Sequence, residues 1–185
     1  PFPMLHTSDA DSFIVCQTQL PNGSIEIAMG DIADQRVGAL IIPRMTSGLK
    51  EHLIERAGHI EERHSATAFI TETTAGRLRC QRLLFVDWAP PGRVADDESF
   101  GESVRAFIGA VMQHVISRDG RSLAVAMPDV VAHRQSIVAE EMIDEVVDQI
   151  RRATSGSLTV TFVFAPNQQD LHGHFANIVR SLNNS

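Results

Sequence analysis

Short, mostly apolar runs that alternate with longer amphipathic segments constrain this chain more than any other feature of its sequence. The runs cover residues 38–43 (GALIIP), 82–88 (RLLFVDW), 122–127 (SLAVAM) and 158–164 (LTVTFVF). Runs of this length are typical of strands that are buried on both faces of a parallel sheet. The segments 48–57, 100–116, 135–153 and 170–182 place apolar residues at helical spacing. This alternation predicts a mostly parallel sheet with helices on both faces.

The first part of the chain predicts a hairpin that adds to this sheet. Residues 13–20 and 24–29 are strand-like, and Pro21-Asn22-Gly23 stands between them as a turn in which Asn-Gly readily takes positive φ. Residues 67–73 predict a further, β-branched strand. We therefore expect an α/β fold, a three-layer α/β/α sandwich with a mixed, mostly parallel central sheet. No linker or repeat divides the sequence, so residues 1–12 are interpreted as a loose lead-in and 13–185 as a single domain.

Composition and charge exclude several classes of protein. No apolar run approaches the roughly 20 residues that span a membrane, and no secretory signal is apparent. The net charge of −7 argues against a general binder of duplex DNA or anionic membranes. Cys16 and Cys80 are the only cysteines, too few for a disulfide framework, so we expect an intracellular, reducing environment, cytoplasmic or nuclear.

Common catalytic and metal-binding motifs are missing. There is no Walker loop, no glycine-rich dinucleotide fingerprint and no nucleophile elbow. Residues 59–64 (HIEERH) place two histidines five apart, about 140° around a helix, which favours a solvated turn over a metal site. His172 and His174 are interpreted as surface histidines, Lys50 as a helix-surface lysine and Cys80 as a half-buried structural cysteine. We expect no metal and no cofactor.

Asp31 is the most informative polar residue. It follows the strand 24–29 directly, within Gly30-Asp31-Ile32. Ligands of open α/β sheets bind at the carboxyl ends of strands, which favours a binding role for this carboxylate. An aspartate that caps a local turn is the alternative, and both interpretations stay open at this point.

The order of these segments resembles macrodomains, the ADP-ribose-binding α/β/α modules. The similarity is carried by residues 25–42 (IEIAMGDIADQRVGALII), 49–58 (LKEHLIERAG), 67–91, 122–130 (SLAVAMPDV) and 158–165 (LTVTFVFA), and it extends from residue 13 to 182. Residues 13–27 further resemble macrodomains found in tandem within large ADP-ribosyltransferase proteins. The resemblance implies that Asp31 binds the adenine amino group, with Ile32 and Gly48 as further ligand contacts.

The sequence departs from the family pattern where the ligand's ribose and phosphates bind. In ligand-binding macrodomains the strand that follows Gly-Asp-Ile ends in Asn-Ala-Ala-Asn, and a glycine-rich loop comes after it. Residues 42–48 here read IPRMTSG. The second phosphate loop, residues 132–137 (AHRQSI), has no glycine, and Ala165 stands where an adenine-stacking aromatic is expected. Arg44 and Arg134, one in each altered loop, are weaker candidates for phosphate contacts, with solvent-exposed loop arginines as the alternative.

These departures predict a divergent macrodomain that acts as a non-catalytic module. ADP-ribose recognition is expected to be altered or lost, and the module to serve as an interaction or scaffold part of a larger protein with a protein partner. No catalytic residue is assigned, because the asparagines that help to place the attacking water in macrodomain hydrolases are absent. Three alternatives stay open: a reader of ADP-ribose or ADP-ribosylated protein, an ADP-ribosyl hydrolase, and a nucleic-acid-binding macrodomain, against which the acidic charge argues.

Overall fold

A computed structural model describes residues 12–44, 48–63, 69–88, 96–153 and 156–184. Its strands are β1 (Ser12–Leu20), β2 (Gly23–Gly30), β3 (Ala39–Pro43), β4 (Ile70–Thr74), β5 (Arg82–Val86), β6 (Ser122–Ala126) and β7 (Leu158–Phe164). Its helices are α1 (Leu49–Ala57), α2 (Asp97–Ser117), α3 (Gln135–Arg152) and α4 (Gln169–Asn183). Residues 1–11 of the predicted lead-in lie outside the described residues, and the division into lead-in and single domain stays a prediction.

The strands form one seven-stranded sheet in the order β1-β2-β7-β6-β3-β5-β4. The five central strands run parallel, whereas β1 and β4 pair antiparallel at the two edges. Helices α2, α3 and α4 pack in the larger core on one face, and α1 packs in the smaller core on the other. The predicted α/β/α sandwich with a mixed, mostly parallel sheet is therefore confirmed.

The sequence of strand β3 is apolar without interruption because the strand lies between the two cores. Ala39 and Ile41 point into the core shared with α2, α3 and α4. Leu40 and Ile42 point to the opposite face, into the core shared with α1. Because successive side chains of a strand point to opposite faces, a strand covered on both sides has no polar position.

The predicted hairpin between β1 and β2 forms, but Gly23 does not form its turn. Leu20 pairs with Gly23, which leaves Pro21 and Asn22 as the turn. Gly23 is the first residue of β2, and neither it nor Asn22 has positive φ. A Cβ at Gly23 would overlap the carbonyl oxygen of Leu158 in β7. The glycine is thus required by the close approach of two strands, and the expectation of a positive-φ Asn-Gly turn was wrong.

His172 is half-buried, and is thus less exposed than the surface histidine that the sequence indicated. Its Nε2 is buried and has no hydrogen-bond partner among the described residues. The imidazole packs edge-on against the Phe164 ring, with 5.5 Å between centroids. Burial, and secondarily the charge of Arg180, lowers the pKa of His172, so the fold favours the neutral imidazole.

Among the described residues, no helix is both long and apolar enough to cross a membrane.

We expect Gly23→Ala to destabilise the protein by about 1–3 kcal/mol, because β2 must move away from Leu158 to admit the methyl group. The matched control is Gly173→Ala in α4, where a Cβ meets no atom within 4 Å. That variant should gain roughly 0.5–1 kcal/mol, since alanine is the better helix former. Urea unfolding measures both changes, and equal stabilities of the two variants would contradict this account.

The half-buried imidazole of His172 predicts a pH-dependent stability. Because the folded-state pKa of His172 lies below its unfolded value, the unfolded chain binds more protons between the two, so stability is lost as pH falls through that window. We expect His172→Leu to lose less stability than the native protein between about pH 7.5 and 5. Thermal unfolding at several pH values tests this, and parallel curves for the two proteins would refute it.

Candidate functional site

A cleft of about 1050 Å³ opens at the carboxyl ends of β2, β6 and β7. Met29 and Gly30 contribute the end of β2, Ala126 the end of β6, and Val163 the end of β7. Sites for small molecules typically measure about 300–1000 Å³. The cleft is therefore large enough for a nucleotide-sized ligand.

All three main candidates from the sequence line this cleft. Asp31 and Ile32 follow β2, and Gly48 precedes α1 with a φ of 76°. The structure thus brings together residues that precede β3 in the sequence and a residue that follows it, as the resemblance implies. Their binding of a ligand stays a prediction.

The carboxylate of Asp31 has two different groups of partners. Its Oδ1 accepts a hydrogen bond of 2.9 Å from the backbone N–H of Ala33, which caps the short 3₁₀ turn Ile32–Asp34. Its Oδ2 lies 2.7 Å from His52 Nε2 and 3.2 Å from Arg56 Nη1, both on α1. The capping interpretation is confirmed. Because the side chain is still 27% exposed, a binding role remains open.

Arg56 links this carboxylate to a second one. Its Nη2 lies 2.6 Å from Asp34 Oδ1, while its Nη1 contacts Asp31. The guanidinium group therefore joins the turn after β2 to helix α1. An ordered turn and helix give this wall of the cleft a defined shape before any ligand arrives.

The opposite wall is fixed by Gln168. Its Nε2 donates to the carbonyl oxygen of Met127 at 2.9 Å, and its Oε1 accepts from the backbone N–H of Ala165 at 2.9 Å. These bonds join the segment after β6 to the segment after β7. The sequence did not single out Gln168, because Ala165 and the partners in residues 127–129 are distant from each other along the chain.

Phe13 is an aromatic lining residue that the sequence reasoning missed. Ala165, where a stacking ring was expected, lines the cleft but has no ring. Phe13 of β1 lines the same cleft, lies opposite Met29 in the hairpin and is 54% exposed. The available signal was a large apolar residue at an edge-strand position.

Acidic groups dominate the charge of the described lining. Asp31 and Asp129 contribute carboxylates, and His52 is the only other ionisable side chain among the described lining residues. No arginine or lysine of the described chain lines the cleft. Where the structure shows it, the cleft therefore offers a diphosphate no cationic side chain.

Arg44 and Arg134 do not line the cleft in the described structure. Arg44 forms an ion pair with Asp87 and a hydrogen bond with Thr71, beside β4 and β5. Arg134 lies over the Phe100 ring, 4.5 Å from its centroid, and 3.7 Å from Asp97. Phosphate contacts by these two arginines stay a prediction. Residues 45–47 of the first altered loop lie outside the described residues.

Cys80 and Lys50, two further chemical candidates, have the structural and surface positions that the sequence favoured, although Cys80 is buried rather than half-buried. Cys80 is buried, and burial raises the pKa of its thiol to about 11, which keeps it unreactive at neutral pH. Lys50 is exposed on α1, 5.4 Å from the Phe85 ring centroid. His59 and Glu61 are exposed, and His64 lies outside the described residues. Within the described ranges, no group of three His, Cys, Asp or Glu side chains is arranged to bind a metal ion.

Comparison of the sequence with models of known protein families and with curated proteins gives no match. The structure, in contrast, is similar to solved macrodomains. The Oceanobacillus iheyensis macrodomain with ADP shares 11% identity at a TM-score of 0.71, over 92% of this chain and 97% of the other. The Trypanosoma brucei macrodomain in complex with ADP shares 11% at 0.65, over 84% and 68%.

A third solved structure agrees with these two. The macro domain of ganglioside induced differentiation associated protein 2 shares 12% identity at a TM-score of 0.66, over 83% of this chain and 81% of the other. At such low identities the similarity shows the fold alone. The chain therefore has the macrodomain fold.

Proposed function

We propose that the chain is a non-catalytic binding module whose cleft recognises the adenosine end of an ADP-ribose-type ligand and has lost the contacts that hold the diphosphate. The observation that carries this proposal is the pairing of Asp31 with the exposed Phe13 ring in one acidic cleft. Two of the similar macrodomains are described with ADP, which supports an adenine nucleotide as the ligand of this chain.

Recognition of the adenosine end rests on two side chains. The resemblance to macrodomains assigns Asp31 to the exocyclic amino group of adenine, and a carboxylate is a strong acceptor for that donor. Phe13 offers a ring for the base, in place of the aromatic that Ala165 does not supply. Stacking of a base on an aromatic ring contributes about 1–3 kcal/mol.

Loss of the diphosphate contacts rests on charge and on sequence. Asp31 and Asp129 bring carboxylates to the cleft. The glycine-rich loops that approach the diphosphate in ligand-binding macrodomains are replaced, since residues 42–48 read IPRMTSG and residues 132–137 read AHRQSI. Each charge-assisted hydrogen bond that is not remade forfeits roughly 1.5–3 kcal/mol. The phosphates of ADP-ribose should therefore add nothing to its affinity.

A binding role without turnover follows from the same replacement. Macrodomain hydrolases use the first-loop asparagine, together with the ribose and phosphates, to place the attacking water, and this chain carries no asparagine there. The proposal includes an interaction or scaffold role within a larger protein. A module that binds a ligand without converting it acts by holding that ligand, or the protein that carries it, close to the rest of the larger protein.

Calorimetric titration of the native chain tests the proposal. We expect adenosine to bind at least as tightly as ADP-ribose, because the acidic cleft repels the two phosphates, and uridine to bind more weakly than both. ADP-ribose binding more than tenfold tighter than adenosine would contradict the loss of the diphosphate contacts. Multiple turnovers of ADP-ribose release from a modified protein would contradict the non-catalytic role.

Two variants separate the proposed adenine contacts from general effects on the fold. Phe13→Ala should weaken adenosine binding about tenfold, whereas Ile14→Ala, a similarly exposed neighbour that does not line the cleft, should leave it unchanged. Asp31→Asn keeps a side-chain oxygen for the cap on Ala33 but lacks the carboxylate, so it should also weaken binding. Unchanged adenosine affinity in both Phe13→Ala and Asp31→Asn would overturn the assignment.

A further inference from the structure

A second pocket, lined by arginines, lies at the opposite end of the sheet from the cleft. It measures about 420 Å³ and opens at the amino ends of β3, β5 and β6, where Ala39, Arg82 and Ser122 begin their strands. Five arginines line it: Arg36, Arg79, Arg82, Arg118 and Arg121. We call it the arginine pocket. The single lining carboxylate among the described residues is that of Asp119.

Most of this positive charge is not neutralised within the described chain. Arg82 and Arg121 donate only to carbonyl oxygens, those of Arg118 at 3.4 Å and Gly120 at 3.3 Å. Neither of them, nor Arg36 or Arg79, forms an ion pair with a described carboxylate. Four guanidinium groups are thus available to an external anion, in a protein whose net charge is −7.

Arg105, which lies outside the pocket, is neutralised by carboxylates of the protein itself. Arg105 of α2 contacts four carboxylates of α3 (Glu141, Asp144, Glu145 and Asp148) at 2.8–3.7 Å. Like charges repel unless a partner neutralises them, so unpaired arginines that share a pocket are costly in the absence of an anion. A bound anion would neutralise the arginines of the pocket, as the carboxylates of α3 neutralise Arg105.

A buried carboxylate fixes the rear of the arginine pocket. Glu72 of β4 is 2% exposed, and its Oε1 lies 3.2 Å from His114 Nε2 and 3.5 Å from Arg118 Nη1. These contacts pair His114 and the exposed Arg118 with a carboxylate of the protein itself. No described carboxylate pairs with the other four arginines of the pocket, which are Arg36, Arg79, Arg82 and Arg121.

We propose that the arginine pocket binds a small molecule that carries several phosphate groups. Guanidinium binds phosphate through paired N–H donors, and one phosphate engages one or two such groups. The four available arginines come from three separate segments, before β3, before and at the start of β5, and before β6. A ligand with two or more phosphates satisfies them together, and a volume of about 420 Å³ admits it.

The lining favours such a ligand over a nucleic acid. No phenylalanine or tryptophan lines the described pocket, so the aromatic rings that single-stranded nucleic-acid sites commonly use for base stacking are missing there. A long polyanion would extend beyond this pocket over a protein whose net charge is −7, which opposes its binding. A compact ligand meets the local positive charge without that cost.

Calorimetric titration of the native chain with inorganic tripolyphosphate, without divalent cations and at low salt, tests the proposal. We expect one site per chain and an affinity that falls as sodium chloride is raised. Arg36→Gln with Arg79→Gln should weaken binding about 100-fold, about tenfold for each guanidinium removed. Both side chains are exposed, and thermal unfolding of the double variant verifies that it folds.

A charge-matched control separates the pocket from net charge. Arg151→Gln with Arg180→Gln removes two exposed arginines outside the pocket and should change the affinity less than twofold. Equal weakening in the two double variants, or no binding of tripolyphosphate at millimolar concentration, would overturn the proposal. Tighter binding of a 20-nucleotide single strand that depends on Arg36 and Arg79 would also overturn it, in favour of a nucleic-acid site.

Two further titrations define the ligand and the site. Inositol hexakisphosphate compared with tripolyphosphate distinguishes a ring-borne from a linear arrangement of phosphates, and inorganic phosphate should bind more weakly than either. Saturating adenosine should leave tripolyphosphate binding unchanged, because the cleft lies at the other ends of the strands. Competition between adenosine and tripolyphosphate would place the anion in the cleft and overturn the proposal.

Discussion

Burial of the parallel strands on both faces is the constraint on which the rest of this structure depends. Every residue of β3 is buried, with Ala39 and Ile41 toward three helices and Leu40 and Ile42 toward α1. Strands covered in this way leave only their two ends open to ligands. The cleft lies at the carboxyl ends and the arginine pocket at the amino ends, so the same packing separates the two sites by the length of the strands.

The two ends of the sheet differ in charge for a local reason. At the carboxyl ends, the cationic Arg56 is used within the protein, between Asp31 and Asp34, and the described cleft lining presents carboxylates. At the amino ends, Glu72 engages His114 and Arg118 but leaves the other arginines without a carboxylate. The net charge of −7 therefore does not predict the charge that either end of the sheet presents to a ligand. Internal ion pairs, and not composition, decide which sign of charge each site presents to a ligand.

Local patterns predicted the elements well and the candidate site in part. The apolar stripe of the second helix, from Phe100 to Val115, is buried as its spacing indicates, and β7 has the predicted bounds 158–164. Asp31, Ile32 and Gly48 meet in one cleft. Phe13 was missed because its only signal, a large apolar residue at an edge-strand position, does not by itself indicate a binding site. The convergence of Arg36, Arg79 and Arg121 was missed because no local pattern links residues so far apart.

By itself, the sequence determined which segments are strands and helices and which side of each is buried, because these follow from side-chain spacing along a few turns or pleats. It also determined that the asparagines expected at the distal ribose, and most of the glycines expected at the diphosphate, are missing. Only the tertiary structure decided the strand order, the use of Gly23 against Leu158, and the partners of Asp31 and Glu72. Those features depend on which distant segments become neighbours, and the free energy of that choice comes from packing between elements.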